Sequence, residues 1–193
     1  MGFIIIEGDN GTGKDTVADA LSSMHGFTIL SRQKEMIRLE HNARTVAETE
    51  RTAAFLGYNH ACGQAAAAAP NRGCLVRYWI STLAASFADQ ILPEDEILTM
   101  AGECLRDMPA PDLAVQLVCP EAIRVARIME RKIREPDRRD DITTTRSARY
   151  RLISGKLLDL SGYPLLRIDT ARNTPGQTAA QIATAVGAED HGR

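Results

Sequence analysis

A chain of 193 residues is long enough to bury one sizeable core and short for two. Its 44% hydrophobic and 25% charged residues are the mix of an ordinary globular domain, and a net charge of −2 gives no global attraction to nucleic acid or to a membrane surface. No apolar run approaches the roughly 20 residues of a membrane span, and the N-terminus lacks the basic-then-apolar pattern of a signal peptide. The four cysteines, Cys62, Cys74, Cys104 and Cys119, lie far apart with no CxxC and no histidines at zinc spacing. They read as buried free thiols of a reducing compartment, so the expected location is the cytoplasm.

In chain order, residues 2–6 read as a short strand buried on both faces, and residues 14–24 as a helix with Val17, Leu21 and Met24 on one side. "FTIL" at 27–30 suggests a second strand. Residues 36–69, rich in Ala, Glu and Arg and free of proline, read as helical up to the "PNRG" turn. A third strand is expected over 74–76, helices over 80–90 and 94–106, and, after the "MPAPD" loop, a fourth strand over 113–118. A long amphipathic helix spans 121–134, followed by the polar, proline-broken "REPDRRDDITTT" and a helix over 147–160. Residues 165–169 form a last strand. "TPGQ" at 174–177 places a hydroxyl cap, a proline at the first helical position and a glutamine at the third, so a helix starts there and Gly187 is its stop. Strands alternate with helices and nothing repeats. The expected fold class is α/β, a parallel sheet with helices on both faces, in a single domain over 1–187 with a lid around 127–146 and a flexible tail over 188–193. Such sheets bind ligands at the carboxyl ends of their strands.

"IIIEGDNGTGKDT", residues 4–16, is the most informative stretch. Gly8, Gly13 and Lys14 satisfy GxxxxGK between a strand and a helix, the context of a phosphate-binding loop. Glycines let the backbone curl so that successive N–H groups point inward, the helix N-terminus adds partial positive charge, and Lys14 adds a full one. Gly8, Asp9, Asn10, Gly11, Thr12, Gly13, Lys14, Asp15 and Thr16 are therefore expected to hold ATP. Asp15 is the departure, since a Ser or Thr hydroxyl ordinarily follows the lysine and ligates Mg²⁺. An aspartate is a hard oxygen ligand and serves the metal directly, or through a water, or else only caps the helix. Thr16 keeps a hydroxyl nearby but points elsewhere by about 100°.

Several stretches in order resemble the thymidylate kinase family of P-loop nucleoside monophosphate kinases. The loop is similar to that family's EGxDGxGKST, "VRYWIST" at 76–82 to its DRYxxS, and "PDLAVQLVCPEAIRVARIMER" at 111–131 to its PDLxxxLDVPxExxxxRxxxR strand and helix. "RIDTARNTPGQTAAQI" at 167–182 is similar to its closing strand and final helix. The resemblance implies the nucleoside monophosphate kinase type of P-loop NTPase fold, ATP and Mg²⁺ as cofactors, a nucleotide acceptor such as thymidylate or a related pyrimidine deoxynucleotide, and a homodimer. The departures lie at acids: the family's loop aspartate falls at Asn10, its DRY aspartate at Val76, and an acid after the fourth strand at Val118. Asp15 is then the metal's replacement ligand. The family's thymine-side arginine becomes Asn59, if Phe55 is the phenylalanine four residues before it, and a base-flanking tyrosine becomes Ala85.

Arg77, the arginine of the DRY-like segment, is expected to grip the acceptor's phosphate, because its planar fork meets phosphate oxygens two at a time. Arg32 and Thr82 match acceptor-site positions; Phe55 is either core or a stacking platform; Tyr78 and Trp79 either shape the acceptor pocket or pack. On the helix from Glu121, Val125, Ile128, Met129 and Ile133 fall at i, i+3, i+4 and i+8, an apolar face. Arg124, Arg127, Arg131, Arg134 and Arg138 form a basic stripe, either a solvated face or a lid over the triphosphate. Arg127, Arg131 and Arg138 are its candidate catalytic residues with Lys14.

Two classes of function follow. The first is an ATP-dependent kinase acting on a nucleoside monophosphate, with a modified nucleotide, a nucleoside or another small acceptor as the alternative. The second is a nucleotide-binding switch or a kinase-like protein of reduced activity. A switch would carry DxxG after a strand and a base-reading NKxD, and neither occurs. No membrane or nucleic-acid partner is expected.

Overall fold

The computed structural model describes residues 2–134 and 144–187. Five parallel strands form one sheet in the order β2-β3-β1-β4-β5, from β1 (Phe3–Glu7), β2 (Thr28–Ile29), β3 (Gly73–Val76), β4 (Leu113–Val118) and β5 (Leu165–Asp169). β1 lies at the centre, Ile5 opposite Leu75 of β3 on one side and Ala114 of β4 on the other. This is why every residue of β1 is buried: its two faces meet two separate cores.

One core packs Phe3, Ile5, Leu75 and Ala114 under α3 (Glu48–Ala67), α4 (Trp79–Ala88), α5 (Glu94–Asp107) and α7 (Thr144–Ser161). The other packs Ile4, Ile6, Cys74 and Val115 under α1 (Lys14–His25) and α8 (Pro175–Ala185). The expected α/β architecture with helices on both faces is the one found. Three of the cysteines are buried and Cys119 is half-buried, all four free. No helix among the described residues is long and apolar enough to cross a membrane.

α8 starts as the sequence dictates. The Thr174 side chain accepts from the Gln177 amide at 3.3 Å, and the Gln177 side chain accepts from the Thr174 amide at 2.9 Å, a reciprocal cap with Pro175 behind it.

Three expectations are corrected. The helical stretch expected over 36–69 is not continuous: it is two helices, α2 (Lys34–Thr45) and α3, separated by extended backbone at Val46 and Ala47. The second strand is only Thr28–Ile29, and Leu30–Arg32 follow as a turn of 3₁₀ helix. In α6 (Glu121–Arg134) the buried residues are Arg124 and Ile128, whereas Met129 is 50% and Ile133 81% exposed. The helix packs by a face rotated toward its arginines. The expected flexible tail over 188–193 and the part of the lid over 135–143, including Arg138, lie outside the described residues.

Candidate functional site

The loop from Glu7 to Lys14 leaves the carboxyl end of the central strand and enters α1. Gly8 and Gly11 are needed where they stand. A Cβ on Gly8 would lie 2.6 Å from the Leu117 carbonyl oxygen, and one on Gly11 2.7 Å from that of Arg124, and both have positive φ. Gly13, at φ 85°, is the N-cap of α1 without a side-chain cap, so Asp15 sits inside the first turn and is not the capping residue. The loop's lysine folds back onto its own backbone: Lys14 Nζ donates to the carbonyls of Gly8 at 2.8 Å and Asp9 at 2.7 Å. Burial, seconded by Arg77, holds the Lys14 ammonium well below the ordinary 10.5.

Beneath the loop, Glu7 is buried and accepts from the Tyr78 amide at 2.9 Å and from the Ser81 hydroxyl. Burial pushes its carboxyl up from 4.5, opposed by those two bonds. Tyr150 of α7 joins them, its hydroxyl 3.0 Å from Ser81 Oγ, and burial raises its phenol to about 12.

A cleft of about 980 Å³ opens at the carboxyl ends of β1 and β3. Asp9, Asn10, Gly11, Gly13, Lys14, Asp15 and Thr16 line it; Gly8 does not, and Thr12 is turned inward, its hydroxyl donating to the Asp9 carbonyl at 2.9 Å. Arg77 lines it too, held at φ 71° where β3 ends, with Nη2 donating to Asn10 Oδ1 at 2.6 Å. An arginine in the left-handed region at the mouth of a cleft is backbone strain of the kind found at ligand sites. Arg32, Phe55, Asn59, Thr82 and Arg131 line the same cleft. Arg32 donates to the Asp15 carbonyl at 3.0 Å and pairs with Asp19. Asn59 is 3% exposed and accepts from Thr82 Oγ1 at 2.7 Å; Phe55 meets Tyr58 edge-on at 6.4 Å.

Other candidates are placed elsewhere. Arg127 is not on the cleft: it donates to the Thr170 hydroxyl at 3.0 Å and carbonyl at 2.8 Å, at the end of β5. The stripe on α6 is thereby divided, with Arg124 buried under the loop, Arg127 at β5, Arg131 at the cleft and Arg134 beside Glu130 at 3.5 Å. Tyr78 and Trp79 are core residues, both fully buried, with Tyr78 bonded to the Pro109 carbonyl and Trp79 to Tyr163. Val76 lines the cleft and Val118 does not.

The sequence reasoning missed Arg44, Arg51, Tyr58, Arg146 and Tyr150, which also line the cleft. Arg51, Phe55 and Asn59 follow each other at intervals of four on α3, a spacing that puts them on one face. That signal was available. Arg146 offers none, since it reaches the cleft only through the packing of α7 on α4, paired with Asp89 at 2.6 Å.

No protein-family sequence model matches the chain, and no curated protein matches its sequence. Its fold is similar to solved structures of deoxyadenosine kinase from M. mycoides. With bound dATP the TM-score is 0.64 at 15% identity, covering 95% of this chain and 98% of that one. With bound dCTP it is 0.60 at 14%, over 95% and 98%. With the products dCMP and a flexible dCDP it is 0.64 at 13%, over 96% and 99%. Nothing in these three singles out thymidylate kinases. What they share with this chain, over 95% or more of its length, is the fold, which here is a five-stranded parallel sheet with helices on both sides.

Proposed function

We propose that this protein transfers the γ-phosphoryl group of ATP to a nucleoside or nucleotide, and that the acceptor is a nucleoside monophosphate, thymidylate or a related pyrimidine deoxynucleotide. One observation carries the finer reading. Among the described residues the cleft is lined by six arginines and Lys14 against four carboxylates, and each of those carboxylates has an arginine within 4 Å. Surplus guanidinium charge suits an acceptor that arrives with its own phosphate. A nucleoside hydroxyl would instead need a carboxylate disposed to take its proton, and carboxylates matched with arginines are poorly disposed to do so. An ionised phosphate acceptor needs no base, so positioning and charge stabilisation suffice.

In this reading Lys14 and the loop amides hold the donor's phosphates, Arg77 holds the acceptor's phosphate, and Arg131 and Arg138 neutralise charge as the phosphoryl group moves. Arg32 and Thr82 bind the acceptor, with Phe55 and Asn59 beside its base. Mg²⁺ bound with ATP needs hard oxygen ligands, one or two carboxylates with phosphates and waters. Asp15, on the cleft next to Lys14, fits that donor set, and among the described residues there is no preformed cluster of three metal-ligating side chains. The ion would draw charge from the phosphates; the chain's part is to place Asp15 beside it.

A second reading, phosphorylation of a nucleoside, is favoured by the likeness to deoxyadenosine kinase structures. Incubating the protein with ATP, Mg²⁺ and a panel of deoxynucleosides and their monophosphates, with Lys14→Ala as the blank, separates the two. Diphosphate from a monophosphate supports the first reading; monophosphate from a nucleoside, with no diphosphate, replaces it by the second.

A further inference from the structure

Asp9 is a carboxylate 5% exposed in a loop shaped to receive anions, and its charged partners do not line the cleft. Asp9 Oδ1 accepts from the Asn10 amide at 2.7 Å. Oδ2 faces Nη1 of Arg151, on α7, at 3.3 Å and Nη1 of Arg124, on α6, at 3.7 Å. Glu121 closes the ring, Oε1 accepting from Arg124 at 2.7 Å and Oε2 from Arg151 at 2.7 Å. Arg124 Nη1 also donates to the Asn10 carbonyl at 3.1 Å. The ring of two guanidinium and two carboxylate groups is neutral, and neither arginine lines the cleft.

The ring is an expensive way to fill space. Arg124 is 1% exposed and its Nε is buried without a hydrogen-bond partner. An apolar side chain of similar volume is often as stable as a buried ion pair, so stability alone gives no reason for a guanidinium here. What the guanidinium does that an apolar side chain cannot is bind the loop's backbone and cancel the charge of Asp9. The loop is fitted to it as well, since a Cβ on Gly11 would come within 2.9 Å of Arg124 Cγ.

We propose that Arg124 and Arg151 are positioning residues for the phosphate loop. Through Asp9 and the Asn10 carbonyl they fix the path of residues 9–11, so that the amides are set before the triphosphate arrives and the carboxylate does not repel it. The proposal rests on the reading of this loop as a triphosphate site.

The test uses the full chain and two measurements: hydrogen exchange of residues 8–16 without nucleotide, and steady-state kinetics with MgATP and the acceptor. Arg151→Met removes a half-exposed side chain and leaves no cavity; Arg124→Met replaces the buried one at similar volume. Each is expected to speed loop exchange and raise the KM for ATP about tenfold, while the KM for the acceptor stays within about twofold. Arg151→Lys should recover part of both effects, because it keeps the charge and loses the fork. Lys156→Met, on α7 like Arg151 but breaking an exposed pair with Glu94 of α5, should change neither. Loop exchange within about twofold of the parent in both arginine variants overturns the proposal, since that is smaller than the loss of one charge-assisted hydrogen bond. The exchange arm contains no nucleotide, so it fails or succeeds independently of the kinase reading, which the parent protein's turnover decides.

Discussion

Arg77 joins two parts of the site, since it lines the cleft and reaches Asn10 of the phosphate loop at 2.6 Å. Arg77→Ala should raise the KM for the acceptor far more than for ATP, because a lost charge-assisted phosphate contact is worth about 2–3 kcal/mol, or roughly 30- to 150-fold. An equal loss for both substrates moves Arg77 out of the acceptor site. Asp15 makes a different demand. Its side chain is 58% exposed and 3.7 Å from Arg32, and Gly13 is the cap of the helix, so the capping role is ruled out by geometry. If Asp15 stands in for the acids missing at Val76 and Val118, Asp15→Asn should lower turnover at limiting Mg²⁺ and be partly rescued by excess. Initial rates across a Mg²⁺ titration check it, and an unchanged midpoint removes Asp15 from the metal. Glu7 acts from below the loop. Burial raises its carboxyl above 4.5, so in the window from 4.5 up to its folded value the native state binds more protons than the unfolded chain. Stability therefore falls as pH rises through that window. Glu7→Gln, which cannot titrate, should show a flatter dependence there in urea midpoints taken from pH 4 upward, relative to the parent; parallel curves would mean the buried carboxyl titrates normally.

At the scale of elements, α6 shows where periodicity misleads. Four apolar residues at i, i+3, i+4 and i+8 define a face, yet only Ile128 of them is fully buried, because Arg124 takes the place beside it under the phosphate loop. Periodicity reports which side of a helix is greasy; it does not report that a loop from another strand needs a guanidinium there. The contrast is measurable. Ile128→Ala should cost about 2–4 kcal/mol through lost burial and a cavity, whereas Ile133→Ala should stay within about 0.5 kcal/mol. Comparable costs from chemical denaturation would restore the sequence-derived face. The break between α2 and α3 was hidden for a related reason. Residues 36–69 contain no proline, and the extended backbone that separates the two helices falls at Val46 and Ala47, residues that carry no turn signal of their own. The start of α8 was legible to the residue, since a capping box is a purely local arrangement.

Across the whole molecule, what was legible follows the same division between local and assembled features. The strand, the glycine loop and Lys14 are contiguous, and so their arrangement could be read; Arg77, Asn59 and Thr82 entered through resemblance and do line one cleft. Arg44, Arg51 and Arg146 were not legible as a group because α2, α3 and α7 bring them together only in the folded chain. Their convergence has a consequence for the protein as a unit. If the cleft takes a phosphate-bearing acceptor as proposed, that acceptor should stabilise the fold more than its nucleoside does, because its phosphate adds charge-assisted contacts. A ligand at a hundred times its Kd adds about 2.7 kcal/mol, which for a chain of this size raises Tm by about 5–11 °C. Thymidylate or another monophosphate that binds should give a shift of that order in thermal denaturation with ATP held constant, and the shift should shrink between low and high salt as the arginines are screened. A nucleoside that matches the monophosphate, with a shift indifferent to salt, would instead mean that the cleft recognises base and sugar and that its arginines serve the donor alone.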